Sequence, residues 1–174
     1  MRVLPLVPAT IAVVVTCGCS PSASPPTPTA IVSSPHASAH VVGAAEAEAV
    51  FAQYLQVTDQ IAQDGGVGAD RLDDFVAGTQ RELERETAQA ILENSVHQIG
   101  SSSYRSFTVQ QSTGAGLSAY VCLDRSHVDV VTSEGLSLDE QSIKFKRTML
   151  VRVSANDDGL RVEWMRPWAG MSVC

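Results

Sequence analysis

The stretch SIKFKRTMLVRVSANDDGLRVEWMR, residues 142–166, decides the fold class of this chain. Hydrophobic residues alternate with charged and polar ones along residues 142–155, which is the period of a strand with one buried face. Asn156-Asp157-Asp158-Gly159 supplies a hairpin turn, and residues 160–166 resume the strand pattern. We therefore predict a long antiparallel hairpin close to the C-terminus.

Three further strands and three helices complete the predicted secondary structure. Runs of β-branched and aromatic residues, bounded by turn residues, predict strands at residues 104–111, 117–124 and 127–132. Before Gly100 the apolar residues recur at helical spacing instead. This spacing predicts helices at residues 44–63, 69–77 and 79–99.

Local signals mark the ends of two predicted helices. Asp64-Gly65-Gly66 is expected to stop the first helix. Thr79 and Glu82 have the spacing of a capping box, which satisfies free amides at a helix start. The residues expected to face inward from the third helix are Leu83, Ala90, Ile91 and Val96. Helices followed by antiparallel strands predict an α+β fold, with three helices packed on one face of a curved, mainly antiparallel five-stranded sheet.

The N-terminus has the features of an export signal. Met1-Arg2 gives a positive start, and Val3 to Val15 is an uncharged, mostly apolar run of 13 residues. That run is shorter than the roughly 20 residues that span a bilayer. The following Thr16-Cys17-Gly18-Cys19 resembles a lipobox, the cleavage site of bacterial lipoproteins. The resemblance implies a signal peptide at residues 1–18 and lipidation of Cys19, and the alternative is an ordinary secretory signal with incidental cysteines.

Residues 20–40 are expected to form a flexible tether. Seventeen of these 21 residues are Ser, Pro, Ala or Thr, and none is Asp, Glu, Lys or Arg. Such a composition buries too little apolar surface to fold. We therefore expect a lipidated Cys19 and tether over residues 19–43 and one folded domain over residues 44–174. Two acyl chains on Cys19 would hold this domain at the outer face of the cell membrane.

The composition excludes one class of partner. The chain is 44% hydrophobic and 18% charged, as expected for a globular protein, and its net charge is −7. Nucleic-acid binding requires lysines and arginines that displace counterions from phosphates. We therefore expect no nucleic-acid partner.

Several short motifs occur in order along residues 44–174. They are Tyr54-Leu55-Gln56-Val57-Thr58, the glycine-rich stop after it, the long predicted third helix, Val121-Cys122-Leu123-Asp124, the Gly159–Trp164 strand and the terminal Cys174. In this order they resemble small lipoproteins of high-GC Gram-positive bacteria that carry a nuclear transport factor 2-like domain. The resemblance implies a cone-shaped α+β fold. That superfamily includes ketosteroid isomerases, dehydratases, polyketide cyclases and non-catalytic binding domains, so the fold leaves the function open.

Two cysteines remain in the domain once lipid has taken Cys19. Cys122 lies in a predicted strand and Cys174 is the last residue. An oxidising extracellular compartment favours a disulfide between them. The alternative is a reactive thiol pair, although the chain has no Cys-x-x-Cys motif.

Three residues are candidates for the lining of a pocket. Tyr54 is either a donor to a ligand oxygen or a core tyrosine. Arg147 falls among inward-facing positions of its strand, where it would meet an anionic ligand, be turned outward by a bulge or pair with Glu163. Trp164 either lines the pocket or seals the core.

No catalytic residues are predicted, and neither is a metal or cofactor. No carboxylate is recognisably paired with Tyr54, Asp124 fits a turn, and the histidines lack metal-ligand spacing. We therefore expect a non-catalytic binding or assembly module for an envelope protein or a small apolar ligand. The alternative is a small cone-fold isomerase, dehydratase or cyclase acting on a hydrophobic substrate. An enzyme would need two titratable groups that converge in the cavity, whereas an apolar or filled cone would favour the module.

Overall fold

A computed structural model describes residues 41–138 and 143–174. The predicted signal peptide, the lipidation site Cys19 and most of the predicted tether lie outside the described residues. Val42, which the sequence places at the end of the tether, is buried, and its carbonyl accepts a 3.2 Å bond from the Ser112 hydroxyl. Packing of the domain therefore begins just before its first helix. None of the helices in the described ranges is both long and apolar enough to cross a bilayer.

Two α-helices and one short 3-10 helix form the first half of the domain. Helix α1 spans Ala44–Gln63, the 3-10 helix spans Ala69–Leu72, and helix α2 spans Gly78–Glu93. Helix α1 has the predicted bounds and stops at the predicted glycines. Gly66 has a φ of +85°, and a Cβ at this position would lie 2.2 Å from the Ala88 carbonyl oxygen of α2. A glycine is therefore required where the end of α1 approaches α2.

Six strands follow in the described residues. They are β1 (Val96–Ile99), β2 (Ser103–Thr113), β3 (Gly116–Asp124), β4 (Asp129–Thr132), β5 (Lys146–Asn156) and β6 (Gly159–Pro167). Strands β2, β3, β5 and β6 form one antiparallel sheet in the order β2-β3-β5-β6, and β1 pairs with β4 in a separate two-stranded sheet. Register shifts in β2, at Arg105/Thr108 and Val109/Gln111, are β-bulge positions that bend the sheet. The predicted α+β class, with helices against a curved antiparallel sheet, is confirmed.

The predicted position of the end of the third helix, residue 99, is wrong. Helix α2 stops at Glu93, and residues 96–99 pair as β1 with β4, from Val96 with Thr132 to Ile99 with Asp129. Ser95 adopts a φ of +52° at the change of direction. Pairing with a distant strand outweighs the local helical pattern here, which gives six strands in two sheets instead of five in one.

The predicted second helix and the predicted capping box also need correction. Only residues 69–72 of the predicted 69–77 are helical, because the chain then runs beside β6. The Ala77 amide donates to the Val162 carbonyl oxygen at 2.9 Å, and the Val162 amide donates to the Phe75 carbonyl oxygen at 2.8 Å. Helix α2 consequently starts at Gly78 with Ala77 as its N-cap and without a side-chain cap from Thr79.

One face of the four-stranded sheet packs against the helices. On α1, Phe51 and Tyr54 are fully buried. They belong to one hydrophobic core with alternate residues of β3 and β5, namely Leu117, Ala119, Val121, Leu123, Met149, Val151 and Val153. Alternate residues of β3 and β5 make this face of the sheet largely apolar, as the alternation along residues 142–155 predicts for β5.

The C-terminal tail covers part of the opposite face. Trp168 stacks at a tilt on Tyr120 with 4.9 Å between ring centroids. Its amide donates to the Thr148 carbonyl oxygen at 3.0 Å, and the Val173 amide donates to the Thr148 hydroxyl at 2.9 Å. Cys122 and Cys174 are joined by a disulfide with 4.9 Å between their α-carbons. The bridge anchors the tail to the sheet, as the sequence predicts.

Candidate functional site

A cavity of about 480 Å³ lies between the two helices and the concave face of the sheet. This volume falls within the range of small-molecule pockets. Most of its lining is apolar and comes from α1, α2, β3, β4, β5 and β6. The apolar lining residues are Leu55, Ala62, Leu83, Ile91, Leu123, Val130, Ile143, Phe145, Met149, Met165 and Pro167.

A buried polar cluster forms one part of the cavity wall. The Tyr54 hydroxyl donates to Glu84 Oε1 at 2.5 Å. Gln80 Nε2 donates to both groups, at 2.9 Å to the Tyr54 oxygen and 2.7 Å to Glu84 Oε1. Gln80 is itself held by the Met165 amide, which donates to its Oε1 at 2.9 Å. The backbone of β6 therefore fixes Gln80, and Gln80 fixes the tyrosine and the carboxylate.

The environment of Tyr54 keeps its hydroxyl protonated. Burial raises the pKa of Tyr54 well above its ordinary value of 10.0, and the neighbouring Glu84 carboxylate raises it further. The nearby Thr58 hydroxyl has a small opposite effect and lowers the pKa of Tyr54. The buried Thr58 oxygen does not reach hydrogen-bond geometry with any partner among the described residues. Tyr54 is therefore a donor at neutral pH, and its proton is directed at Glu84.

The prediction that no carboxylate is paired with Tyr54 is wrong. The predicted inward residues of α2 include Leu83 and Ala90, yet both are exposed, while Gln80, Glu84 and Ala88 are buried. The helix is rotated so that two polar residues one turn apart meet the tyrosine of α1. The i,i+4 spacing of Gln80 and Glu84 is the sequence feature that could have indicated this cluster, because residues four apart share one helix face.

A second polar cluster lies near β1, and its members Gln98, Ser102 and Arg125 line the cavity. Buried Asp59 accepts bonds from the Ser102 amide at 2.7 Å, the Ser102 hydroxyl at 2.9 Å and Gln98 Nε2 at 2.7 Å. Gln98 Oε1 in turn accepts a 3.0 Å bond from Arg125 Nη2. Gln98, which joins Asp59 to Arg125, was missed in the sequence because β1 was assigned to a helix. The chain of bonds brings a guanidinium to the cavity wall.

The structure places two of the three predicted pocket residues in the cavity wall and the third outside it. Tyr54 and Arg147 line the cavity. The Arg147 guanidinium carbon lies 4.0 Å from the Phe145 ring centroid. Trp164 lies on β6 beneath the Arg166 guanidinium, at 4.7 Å, and is not part of the cavity wall. The proposed pairing of Arg147 with Glu163 is wrong, because Glu163 faces Arg152 at 3.8 Å.

Asp124 has the geometry of a turn residue. Its Oδ1 accepts bonds from the Ser126 hydroxyl at 2.6 Å and the Ser126 amide at 3.0 Å, and Lys146 lies 3.3 Å from Oδ2. These bonds, with that of the Ser126 hydroxyl foremost, lower the pKa of Asp124 to about 2. Asp124 is therefore a poor proton acceptor at neutral pH. Within residues 41–138 and 143–174, no group of three His, Cys, Asp or Glu side chains could hold a metal ion.

Comparison with known proteins identifies the fold. No family model matches the chain, and no curated protein sequence matches it. The crystal structure of the intermembrane space region of the chloroplast protein ARC6 superimposes with a TM-score of 0.54 at 12% identity, covering 74% of this chain and 98% of that chain. A candidate aromatic ring hydroxylase from Novosphingobium aromaticivorans superimposes with a TM-score of 0.50 at 13% identity, covering 75% and 92%. At these identities the likeness concerns the fold alone, and it is consistent with a cone-like α+β fold of helices against a curved antiparallel sheet.

Proposed function

We propose that this domain binds a small, largely apolar molecule in its cavity without transforming it. The observation that carries the proposal is the cavity of about 480 Å³ with a mainly apolar lining and polar groups grouped at two places. Ligand pockets generally combine an apolar wall with a few fixed polar groups that set the orientation of the ligand. This cavity favours a small ligand over an envelope protein as the occupant.

The hydrogen bonds of the Tyr54 cluster support binding over catalysis. The tyrosine proton is directed at Glu84, and Glu84 Oε1 already accepts from two donors. A general acid must direct its proton at the substrate, whereas the Tyr54 proton is directed at Glu84. In this arrangement the cluster gives the cavity a rigid polar wall.

The proposed site of action is the outer face of the cell membrane. The lipobox-like Gly18-Cys19 and the uncharged tether support a lipid-anchored protein. A cavity in a domain anchored at that surface would be accessible to molecules that leave or enter the membrane. Apolar molecules are concentrated in that layer, which fits the apolar lining.

Obstruction of the cavity tests the proposal. Leu83→Trp places an indole at the cavity wall, and Leu92→Trp on the same helix is the matched control. The two leucines are similarly exposed, at 52% and 49%, but only Leu83 lines the cavity. We expect the neutral fluorescent probe N-phenylnaphthylamine to bind the full chain and the Leu92→Trp variant equally, and Leu83→Trp at least about tenfold more weakly. Equal binding by both variants, or no binding by the unaltered chain, would contradict the proposal.

A second candidate function is acid–base catalysis, which one observation favours. Tyr54 and Glu84 are two titratable groups that meet at the cavity wall, 2.5 Å apart. Rearrangement of the bond between them on substrate binding would free a donor and an acceptor together. Turnover of a hydrophobic carbonyl substrate that Tyr54→Phe abolishes, with the fold intact, would establish the enzyme instead of the binding module.

A further inference from the structure

We propose that the ligand of the cavity carries an anionic head group, a carboxylate or a phosphate, which pairs with Arg125 and Arg147. This inference rests on the proposed function and specifies the chemical class of the ligand as an amphipathic anion. Both arginines line the cavity. Four observations support the assignment: the partners of each arginine, their placement on the sheet, the positions of nearby acids and the overall charge.

Arg147 has no carboxylate partner in the described part of the chain. Its guanidinium stacks on the Phe145 ring, and Phe145 is itself part of the cavity wall. Stacking on an aromatic ring holds a guanidinium flat and leaves its N–H groups directed sideways. The side chain is therefore positioned at the cavity with donors that remain available.

Arg125 is only partly satisfied by the protein. Its Nη2 donates to a neutral amide oxygen, that of Gln98, at 3.0 Å. Its Nε is buried and has no hydrogen-bond partner among residues 41–138 and 143–174. A buried donor without an acceptor is uncommon in proteins and costs free energy, and a ligand oxygen beside the guanidinium would remove that cost.

Strand pairing places the two arginines on the same face of the sheet. Leu123 of β3 pairs with Arg147 of β5, and the Arg125 amide donates to the Phe145 carbonyl oxygen at 2.7 Å. Arg125 and Arg147 are therefore diagonal neighbours, and such residues typically lie about 7–8 Å apart, with their β-carbons somewhat closer. Two guanidinium groups at that separation can both reach the oxygens of one carboxylate or phosphate.

Among residues 41–138 and 143–174, two acidic side chains near the arginines have other partners. Asp124 directly precedes Arg125 at the end of β3, and Lys146 directly precedes Arg147 on β5. Asp124 and Lys146 therefore point to the opposite face, where they pair at 3.3 Å. Asp59 accepts from Gln98 and Ser102. The cavity wall therefore carries two arginines in addition to the Tyr54–Glu84 cluster.

The overall charge of the chain is opposite in sign to the two cavity arginines. The net charge of −7 repels anions in general. An affinity for anions would therefore have to come from a local group of cations. With the head group at the arginines, the apolar part of the ligand would lie along Leu83, Ile91 and Met149 of the same cavity.

Two probes that differ by one charge test the inference. Anilinonaphthalene sulfonate is an anion, and N-phenylnaphthylamine is its uncharged parent without the sulfonate. Both would be titrated into the full chain carrying Cys19→Ser, which removes the lipid acceptor and permits a buffer without detergent. Arg147→Gln is the test variant. Arg166→Gln is the matched control, because Arg166 also stacks on an aromatic ring but does not line the cavity.

We expect Arg147→Gln to weaken binding of the anionic probe about tenfold and to leave binding of the neutral probe within about twofold. Arg166→Gln should change neither. An equal loss for both probes, an equal effect of the two variants on the anion, or no effect on either probe would overturn the anionic assignment. Binding of the neutral probe that Leu83→Trp blocks would still support the proposed function in those cases, so the two proposals can fail separately.

Discussion

Replacement of Tyr54 by phenylalanine should destabilise the domain far more than the same replacement elsewhere. The variant keeps the fully buried ring and removes only the hydroxyl. That hydroxyl donates to a buried carboxylate, Glu84, and accepts from Gln80. A hydrogen bond to a charged group contributes about 1.5–3 kcal/mol, and a bond between neutral groups about 0.5–1.5 kcal/mol. We therefore expect the free energy of unfolding to fall by about 2–4.5 kcal/mol.

Tyr104→Phe is the matched control for this measurement. The Tyr104 hydroxyl makes one longer bond, 3.4 Å to Glu48 Oε1, and is partly buried. Its loss should cost less than about 1 kcal/mol. Urea unfolding followed by tryptophan fluorescence measures both values, and m should stay constant if only stability changes. Equal costs for the two variants would refute the argument.

A double-mutant cycle isolates the Tyr54–Glu84 bond itself. Glu84→Gln retains the size of the side chain but removes its charge. Because the two groups are in direct contact, the double variant should be destabilised less than the sum of the single variants, by about 0.5–3 kcal/mol. Strict additivity would mean that the short bond contributes nothing to stability.

The pH dependence of the same variant gives an independent test. Burial raises the pKa of Tyr54 well above 10.0, so folding favours the protonated tyrosine. This contribution is complete below pH 10.0 and is lost as the pH rises from there towards the raised folded pKa. The unaltered protein should therefore lose stability in alkali more steeply than Tyr54→Phe. Parallel profiles above pH 10.0 would contradict this pKa shift.

Three further perturbations test the anchor, the bridge and one glycine. Cys19→Ala should move the protein from the membrane fraction to the soluble fraction, because acyl chains supply the attachment, and unchanged membrane partitioning would disprove the lipidation. Cys174→Ser breaks the Cys122–Cys174 bridge, which closes a loop with a sequence separation of 52. The free energy of unfolding, measured in urea, should fall by about 4 kcal/mol. A loss below about 1 kcal/mol would show that other contacts hold the tail. Gly66→Ala should destabilise the domain by clearly more than Gly135→Ala, since both have positive φ but only Gly66 faces backbone within 4 Å; equal melting temperatures would contradict this.

The sequence by itself determined the elements whose signals are local. The bounds of α1 were predicted correctly, because the apolar spacing and the Asp64-Gly65-Gly66 stop lie within the segment itself. The β5–β6 hairpin was predicted to within a few residues, since the alternation and the turn at 156–159 are both local. The partners Cys122 and Cys174 could be named because the expected signal cleavage and lipidation of Cys19 would leave only these two cysteines for one bridge.

Only the tertiary structure decided what depends on distant residues. Residues 96–99 form a strand because β4 lies beside them, although their own sequence continues a helical pattern. Tyr54 and Glu84 are 30 residues apart, and they meet only because packing rotates α2 to bury Gln80 and Glu84. The facing of Arg125 and Arg147 likewise follows from the register of β3 on β5. Periodicity specifies which residues share a face, but the packing of elements far apart in the chain specifies which face turns inward and what it meets there.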